Sequence, residues 1–412
     1  MERRVVVTGM GAVTPLGNDV ESFWNGIKEG KNGIDFIKGI DTSSLRVKIA
    51  GEVKDFNPAE RVGKKESRRL DRFSQFALAA ADEAVKSSKI DLDKIDKKRF
   101  GVLVGSGIGG LRTLEDDIRK SESGASKRFS PFFIPMIIIN LCSGNIAIKY
   151  GAKGICQSVV TACATGADAI GQAYRAIKHG YSDVMIAGAS ESPITVSSMS
   201  GFDSLKTLNT GNDPNRASIP FDKERNGFVM AEGAGILILE TLESAEKRGA
   251  KILAEIVGYG ANCDAYHITA PAPDGDDAAE CMKLAIDEAG ITPEDISYIN
   301  AHGTSTELND SCETNAIKTC FGDYAYKVPI SSTKSMTGHL LGASSAIESI
   351  ICVKAINDKF IPPTINYKNK DEELDLDYVP NVGRSAELNY VLSNAFGFGG
   401  HNTSLLFKKY CK

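Results

Sequence analysis

Short apolar runs recur along the chain, separated by stretches in which alanine and leucine return every three or four positions. The runs are "VVVTG" at 5–9, "FGVLVG" at 100–105, "DVMIAGAS" at 183–190, "GILILETL" at 235–242, "AEIVGYG" at 254–260, "ISYINAHG" at 296–303 and "VLSNAFGFGG" at 391–400. Most lack a strict apolar/polar alternation, so they predict strands buried on both faces. Between them, "RFSQFALAAADEAVKSS" (72–88), "GADAIGQAYRAIKHG" (166–180) and "DAAECMKLAIDEAG" (277–290) predict helices. Strands alternating with helices of this length predict an α/β architecture with helices on both faces of a sheet. The pattern also echoes itself. "LAAADEAV" (78–85) leads through an acidic linker to one apolar run, and "LAIDEAG" (284–290) leads through "ITPED" to another. "GADAI" (166–170) has a counterpart in "GASSAI" (342–347), in the same order. Two related halves, 1–250 and 251–412, are the expectation.

Composition narrows the class. The 412 residues are 42% hydrophobic and 25% charged, with a net charge of −5, so no global basic field points to nucleic acid. Nine cysteines form no C-x-x-C pair, which argues against a disulfide framework and a structural zinc site. "PFFIPMIIINLC" (131–142), the most apolar stretch, is too short to span a bilayer, and the first residues read as a strand entering a glycine turn. The expectation is a soluble cytoplasmic protein.

Three positions carry candidate chemistry. In "SVVTACATGADAIGQ" (158–172) a β-branched run leads to Cys163 and then to a helix. The first turn of a helix has unsatisfied N–H groups that favour a thiolate. Its dipole contributes only about 0.3–1 kcal/mol. A thiol of ordinary pKa, about 8.5, is only a few per cent ionised at neutral pH, so a nearby histidine must help or the thiolate must form during attack. His302, in "NAHGTSTELND", follows an apolar run. His339, in "STKSMTGHLLGASSAIES", opens a long apolar helix, where its protonated form is disfavoured and a neutral, hydrogen-bond-donating imidazole is expected. Both stand at element ends, where open α/β sheets place their sites. The three glycines of "SNAFGFGGHN" (393–402) allow a tight turn that points N–H groups into a cavity.

"TACATGADAIG", "NAHGTST", "STKSMTGHLLGA" and "NAFGFGGHN" closely resemble, in order, the four active-site motifs of the β-ketoacyl-acyl-carrier-protein synthases, condensing enzymes of thiolase fold. The likeness runs from "VVVTGMGAVTPLG" through "PFDKERNGFVMAEGAG" to "SLLFKK", and is strongest to the elongating type II members. It implies a layered α/β/α/β/α fold of two similar halves, usually a homodimer. It implies decarboxylative condensation of an acyl chain with malonyl-acyl-carrier protein in fatty-acid elongation. The resemblance makes Cys163 the acyl-accepting nucleophile, and His302 and His339 the pair that holds the malonyl thioester and stabilises its enolate. Lys334 becomes the supporting lysine, with Glu313 and Glu348 as acidic partners. The N–H groups of Cys163 and Phe398 form the oxyanion hole, beside Phe396 and Gly397, and the Phe398 ring acts as a gate. Thr269, Thr304 and Thr306 line the pantetheine entrance, and Ile108, Phe202 and Phe133 the acyl tunnel. No organic cofactor or catalytic metal is expected, since the phosphopantetheine arm arrives on the carrier protein. A monovalent cation near Asn300, Glu348, Ser393 and Asn394 is a looser implication.

His401 departs from the threonine common after "GFGG" and could shift that loop's motion. The serines of "GASSAIES" replace small apolar residues and slightly disturb the helix near His339. For docking an acidic carrier, "RVGKKESRRLDRF" offers Lys64 with Arg68 and Lys65 with Arg69 as i,i+4 pairs on one helical face. By resemblance Lys127, Arg128 and Lys206 extend that patch. A polyketide ketosynthase shares the same motifs and differs in its chain. A non-catalytic chain-length factor is disfavoured by the presence of Cys163 and both histidines, and a thiolase by the His pair in place of a second cysteine.

Overall fold

The apolar runs are strands whose alternate residues serve two different cores. In the computed structural model, which describes residues 2–125 and 128–411, ten strands build one mixed sheet. They are β1 (Val5–Val13), β2 (Phe100–Gly105), β3 (Cys156–Gln157), β4 (Val184–Glu191), β5 (Gly233–Thr241), β6 (Ala254–Cys263), β7 (Ile296–Asn300), β8 (Ile330–Ser331), β9 (Tyr390–Gly397) and β10 (His401–Lys408). In space they run β8-β7-β9-β10-β6-β1-β5-β4-β2-β3. In the first five, β3–β2–β4 pair parallel and β4–β5–β1 antiparallel. The second five repeat this: β8–β7–β9 are parallel and β9–β10–β6 antiparallel. Only three residue pairs, Val5–Val7 against Ala254–Ile256, join the two sets.

Helices α1 (Arg72–Ser88) and α2 (Asn140–Tyr150) cover one outer face. Phe73, Phe76 and Ile146 pack there on Val102, Val104, Val184, Ile186, Ile236 and Ile238. The other residues of β4 and β5, among them Met185, Ala187, Leu237 and Leu239, point into the central core. That core holds α3 (Thr165–Lys178), and further along the chain α6 (Ser344–Asp358), packed on strands of both halves. Helices α4 (Asp276–Ala289) and α5 (Glu307–Phe321) cover the remaining outer face. The result is five layers, α/β/α/β/α. Helix α6 is buried over most of its length, so its apolar residues fall all round it and form no single stripe. Both halves bring an outer helix against strand backbone through glycine. A Cβ on Gly11 would lie 1.9 Å from Ala80 O on α1, and one on Gly260 would lie 2.0 Å from Cys281 O on α4.

Three expectations change. The run before Cys163 joins the sheet only at Cys156–Gln157. Beyond it, Ser158 Oγ holds the chain to Val104 O at 2.8 Å as it turns away. The segment bearing Lys64, Lys65, Arg68 and Arg69 is a turn followed by a 3-10 helix over Ser67–Arg69, so these residues share no α-helical face. The repeat also has a different register. Ala162 (φ 49°) precedes Cys163 just as Leu341 (φ 47°) precedes Gly342, and α3 and α6 start two residues later. Cys163 therefore corresponds to Gly342, whereas the letters pair Gly166 with that glycine.

Candidate active site

Cys163 sits in a single 3-10 turn, Ala162–Ala164, between β3 and α3. Ala162 has a left-handed backbone, a conformation that surrounding contacts must hold. Thr165 Oγ1 provides them, accepting from Thr161 N–H at 2.9 Å and donating to Ala162 O at 2.7 Å. His339 approaches from the other half, with Nε2 3.1 Å from Cys163 Sγ and Nδ1 2.8 Å from Ser344 Oγ. A five-residue offset separates His339 from the start of α6, so it lies outside that helix's first turn. Backbone pairing with residues 229–231 holds it instead, through His339 N–H to Val229 O and Ala231 N–H to His339 O. The Phe228 ring packs edge-on against it, 5.1 Å between centroids.

His302 follows β7 at the carboxyl end of the sheet, and its ring stands perpendicular to that of His339 at 5.4 Å. Glu313 on α5 fixes its turn, accepting from His302 N–H at 2.8 Å and Gly303 N–H at 2.7 Å. Asn394 Nδ2 donates to the same carboxyl at 3.3 Å. Lys334, 1% exposed, donates to Glu348 Oε1 and to His302 O, both at 2.6 Å. Burial holds both imidazoles well below the usual histidine value, and the adjacent Lys334 charge lowers them further. They are neutral at physiological pH, for reasons of burial and charge and not of helix position. Burial likewise pushes the Cys163 thiol up to about 12, against the opposing pull of Lys334. The helix-terminus effect, about 0.3–1 kcal/mol, is too small to reverse that, so the resting sulfur is a thiol. Burial also raises the Glu313 carboxyl to about 7, against its two backbone donors, and raises that of Glu348 against Lys334.

The glycine loop between β9 and β10 closes the other side. The Phe398 backbone N–H draws the Cys163 thiol down, against the larger effect of burial. Gly397 passes so close that a Cβ there would lie 2.6 Å from Thr161 O and 3.1 Å from Cys163 N. The Phe398 ring lies 6.2 Å from that of Phe202. A cavity of about 420 Å³ leads to the sulfur and is lined by His302, His339, Phe202, Phe396, Gly397 and Phe398. Thr269, Thr304, Thr306 and Lys206 line it as well.

Ile108 and Phe133 lie outside that lining. Ile108 packs in an apolar cluster with Cys163, Phe202, Met199 and Leu341. Phe133 stacks on the half-exposed Phe129 at 4.6 Å, in a surface segment. Lys64, Lys65, Arg68, Arg69 and Lys206 are exposed and form no ion pair among the described residues, while Arg69 covers the Phe132 ring at 4.8 Å. Arg128 is exposed near Phe129, and Lys127 lies outside the described residues. Asn300, Ser393 and Asn394 lie buried on β7 and β9. Ser344 is the functional side chain that motif reading passed over. The serines of "GASSAIES" are bonded into the structure, Ser344 to His339 and Ser345 Oγ to Ala167 N–H at 2.8 Å. Among the described residues no cluster of three or more His, Cys, Asp or Glu side chains could hold a metal, and no helix is long and apolar enough to cross a membrane.

A doubled five-strand topology with a cysteine and two neutral histidines where its halves meet defines a thiolase-like acyltransferase. The β-ketoacyl synthase N-terminal domain model matches residues 2–245 and the C-terminal domain model residues 253–368. The chain belongs to the β-ketoacyl synthase family. It is 52% identical over 410 residues to a 3-oxoacyl-[acyl-carrier-protein] synthase 2 of Synechocystis sp., covering 99% of both chains. It is 50% identical over 408 residues to the Staphylococcus aureus protein of the same name, again over 99% of both. Among solved structures, a type II polyketide ketosynthase in complex with its acyl carrier protein and bound to the hexaketide superposes with a TM-score of 0.93 at 37% identity over the whole of both chains. A β-ketoacyl synthase from Burkholderia phymatum gives 0.92 at 35% identity, covering 99% of this chain and 100% of that one.

Proposed function

We propose that this enzyme condenses an acyl group, carried on Cys163, with malonyl-acyl-carrier protein to give 3-oxoacyl-acyl-carrier protein and CO₂, as in fatty-acid elongation. The observation that carries the reading is the convergence of Cys163, His339 and His302 on one cavity, with Nε2 of His339 3.1 Å from the sulfur and the two rings 5.4 Å apart. In the first half-reaction the Cys163 sulfur attacks the acyl thioester, and its proton leaves with the departing carrier thiol. The N–H groups of Cys163 and Phe398 receive the carbonyl oxygen as it becomes an oxyanion; one such donor contributes about 2.7–4 kcal/mol to a transition state. Ser344 donating into His339 Nδ1 leaves the proton on Nε2, where it stabilises the developing thiolate.

In the second half-reaction the malonyl thioester oxygen lies between His302 and His339. Loss of CO₂ leaves an enolate whose oxygen the two neutral N–H donors stabilise. Its carbon attacks the acyl-Cys163 carbonyl, and collapse expels the Cys163 thiolate, which takes up a proton. The carrier arm supplies the only prosthetic group this route uses, entering past Thr269, Thr304 and Thr306. Lys334 and Glu313 hold the His302 turn from two sides. Asn300 Oδ1 and Glu348 Oε2 are buried oxygens without hydrogen-bond partners. They fit a monovalent cation that, with Ser393 and Asn394, would add positive charge behind the histidines. Lys64, Lys65, Arg68, Arg69 and Lys206 form the basic face for the acidic carrier, with Arg128 beside them. The halves divide near residue 250, and the active assembly is a homodimer.

The test supplies a ladder of acyl-carrier thioesters and malonyl-carrier protein and measures 3-oxoacyl product against CO₂. Equimolar product and CO₂, with the condensation product lost in Cys163→Ala, support the reading. A single extension of saturated chains fits elongation, and repeated extension without reduction would mark a polyketide enzyme. Acyl transfer that survives Cys163→Ala refutes the nucleophile.

A further inference from the structure

Glu191, the last residue of β4, is completely buried and has no ion-pair partner among the described residues. Its carboxylate instead accepts four hydrogen bonds. Oε1 takes Ser106 Oγ–H at 2.7 Å and Ile108 N–H at 3.2 Å, and Oε2 takes Gly107 N–H at 2.7 Å and Gly342 N–H at 3.1 Å. Ser106 Oγ in turn accepts from Gly109 N–H at 2.9 Å, so the whole 106–109 turn is tied to this one group. The approach is close enough to dictate sequence. A Cβ on Gly107 would lie 2.9 Å from Oε2, and one on Gly342 would lie 2.7 Å from it. Gly342 is the counterpart of Cys163 in the other half, and its turn leads into Ser344, the partner of His339. Ile108, at the centre of the tied turn, packs in the same apolar cluster as Cys163 and Phe202, and the cavity that reaches Cys163 is not lined by it.

From this geometry we infer that Glu191 is a positioning residue that latches the Ile108 turn closed, and so sets how long an acyl chain Cys163 accepts. A short acyl group fits in front of Ile108, whereas a long one must displace it and strain the bonds to Gly107 and Ile108. Hydrogen bonds to a charged acceptor are the strong ones, so the latch biases loading toward short chains. The inference rests on the acyl-transfer reading above.

The full-length enzyme is loaded from butyryl- and palmitoyl-carrier protein, and kcat/KM for carrier release is measured for each. Glu191→Gln keeps the shape but removes the charge, leaving one oxygen for the Gly107 and Gly342 N–H groups and turning an N–H donor toward the Ile108 N–H. It should raise the palmitoyl-to-butyryl ratio by about fivefold or more, the scale of one lost hydrogen bond. Ser106→Ala removes one donor to Glu191 and one acceptor from Gly109. It should raise the ratio by less, with CO₂ release from malonyl-carrier protein unchanged. If Glu191→Gln does not fold, Ser106→Ala decides. A ratio that stays constant or falls, or equal losses on both chains, overturns the latch. Wild-type enzyme that loads neither chain overturns the acyl-transfer reading instead.

Discussion

Replacing Cys163 by glutamine separates the two half-reactions. The side chain loses the nucleophile and places an amide of roughly acyl-thioester shape beside His339, whose Nε2 stands 3.1 Å from the native sulfur. This variant should make no condensation product yet release CO₂ from malonyl-carrier protein. His302 and His339 face one cavity with rings 5.4 Å apart, close enough to donate to a single oxygen. Adding His302→Ala or His339→Ala should therefore slow CO₂ release by about a hundredfold or more, since one preorganised donor contributes about 2.7–4 kcal/mol. The triple variant should lose less than the product of the two factors, because donors to one atom act together. The pH profile supplies a second readout. Burial and Lys334 both lower the two imidazole pKa values, so the neutral donors persist below pH 6.5 and fail only as pH falls through those depressed values. Release by the glutamine variant, followed as labelled CO₂, should be flat from about pH 6 to 8, without the step near 6.5 that an ordinary histidine gives. Decarboxylation that survives removal of both histidines, or a step near 6.5 that vanishes with either one, would refute this mechanism.

Lys334→Met should destabilise the fold by about 3–5 kcal/mol in urea titration by leaving the buried Glu348 carboxylate without its cation. Lys334→Met with Glu348→Leu should recover most of that stability without activity; no recovery would mean that the pair is not the cause. Gly397→Ala places a methyl 2.6 Å from Thr161 O and should cut acyl transfer by about a hundredfold or more while the enzyme still melts cooperatively, so near-normal transfer would remove the Phe398 N–H from the oxyanion site. Reversing charge at Lys65 and Arg69 together should raise KM for carrier-bound substrate severalfold, with turnover of small pantetheine thioesters unchanged. The effect should shrink with salt, and equal damage to both substrate types would point to misfolding.

Much of this enzyme is legible in local sequence. Apolar runs without polar alternation identify strands buried on both faces, and the unstriped stretch at 344–356 belongs to a helix buried over most of its length. Cys163, His302, His339 and the glycine loop stand at element ends, where their motifs place them. Those features depend on neighbours a few positions apart, which periodicity records. Other properties depend on groups from distant parts of the chain, and only the tertiary structure decides them. Helix position favours a thiolate at Cys163 only weakly, and burial outweighs it by pushing the thiol up, because desolvation sums over every neighbour and a helix terminus acts only locally. Phe133 stacks on Phe129 in a surface segment of this chain, and nothing in its local pattern encodes which groups meet it there. Four basic residues read as one helical face and occupy a turn and a short 3-10 helix, because a charged pattern without an apolar stripe gives an α-helix nothing to pack. Glu191 acquires its role only when the sheet brings residues 85 and 151 positions away into hydrogen-bonding range, and Ser344 only when its neighbour His339 meets Cys163, 176 positions away. Periodicity sets which elements form; the meeting of the two halves sets their chemistry.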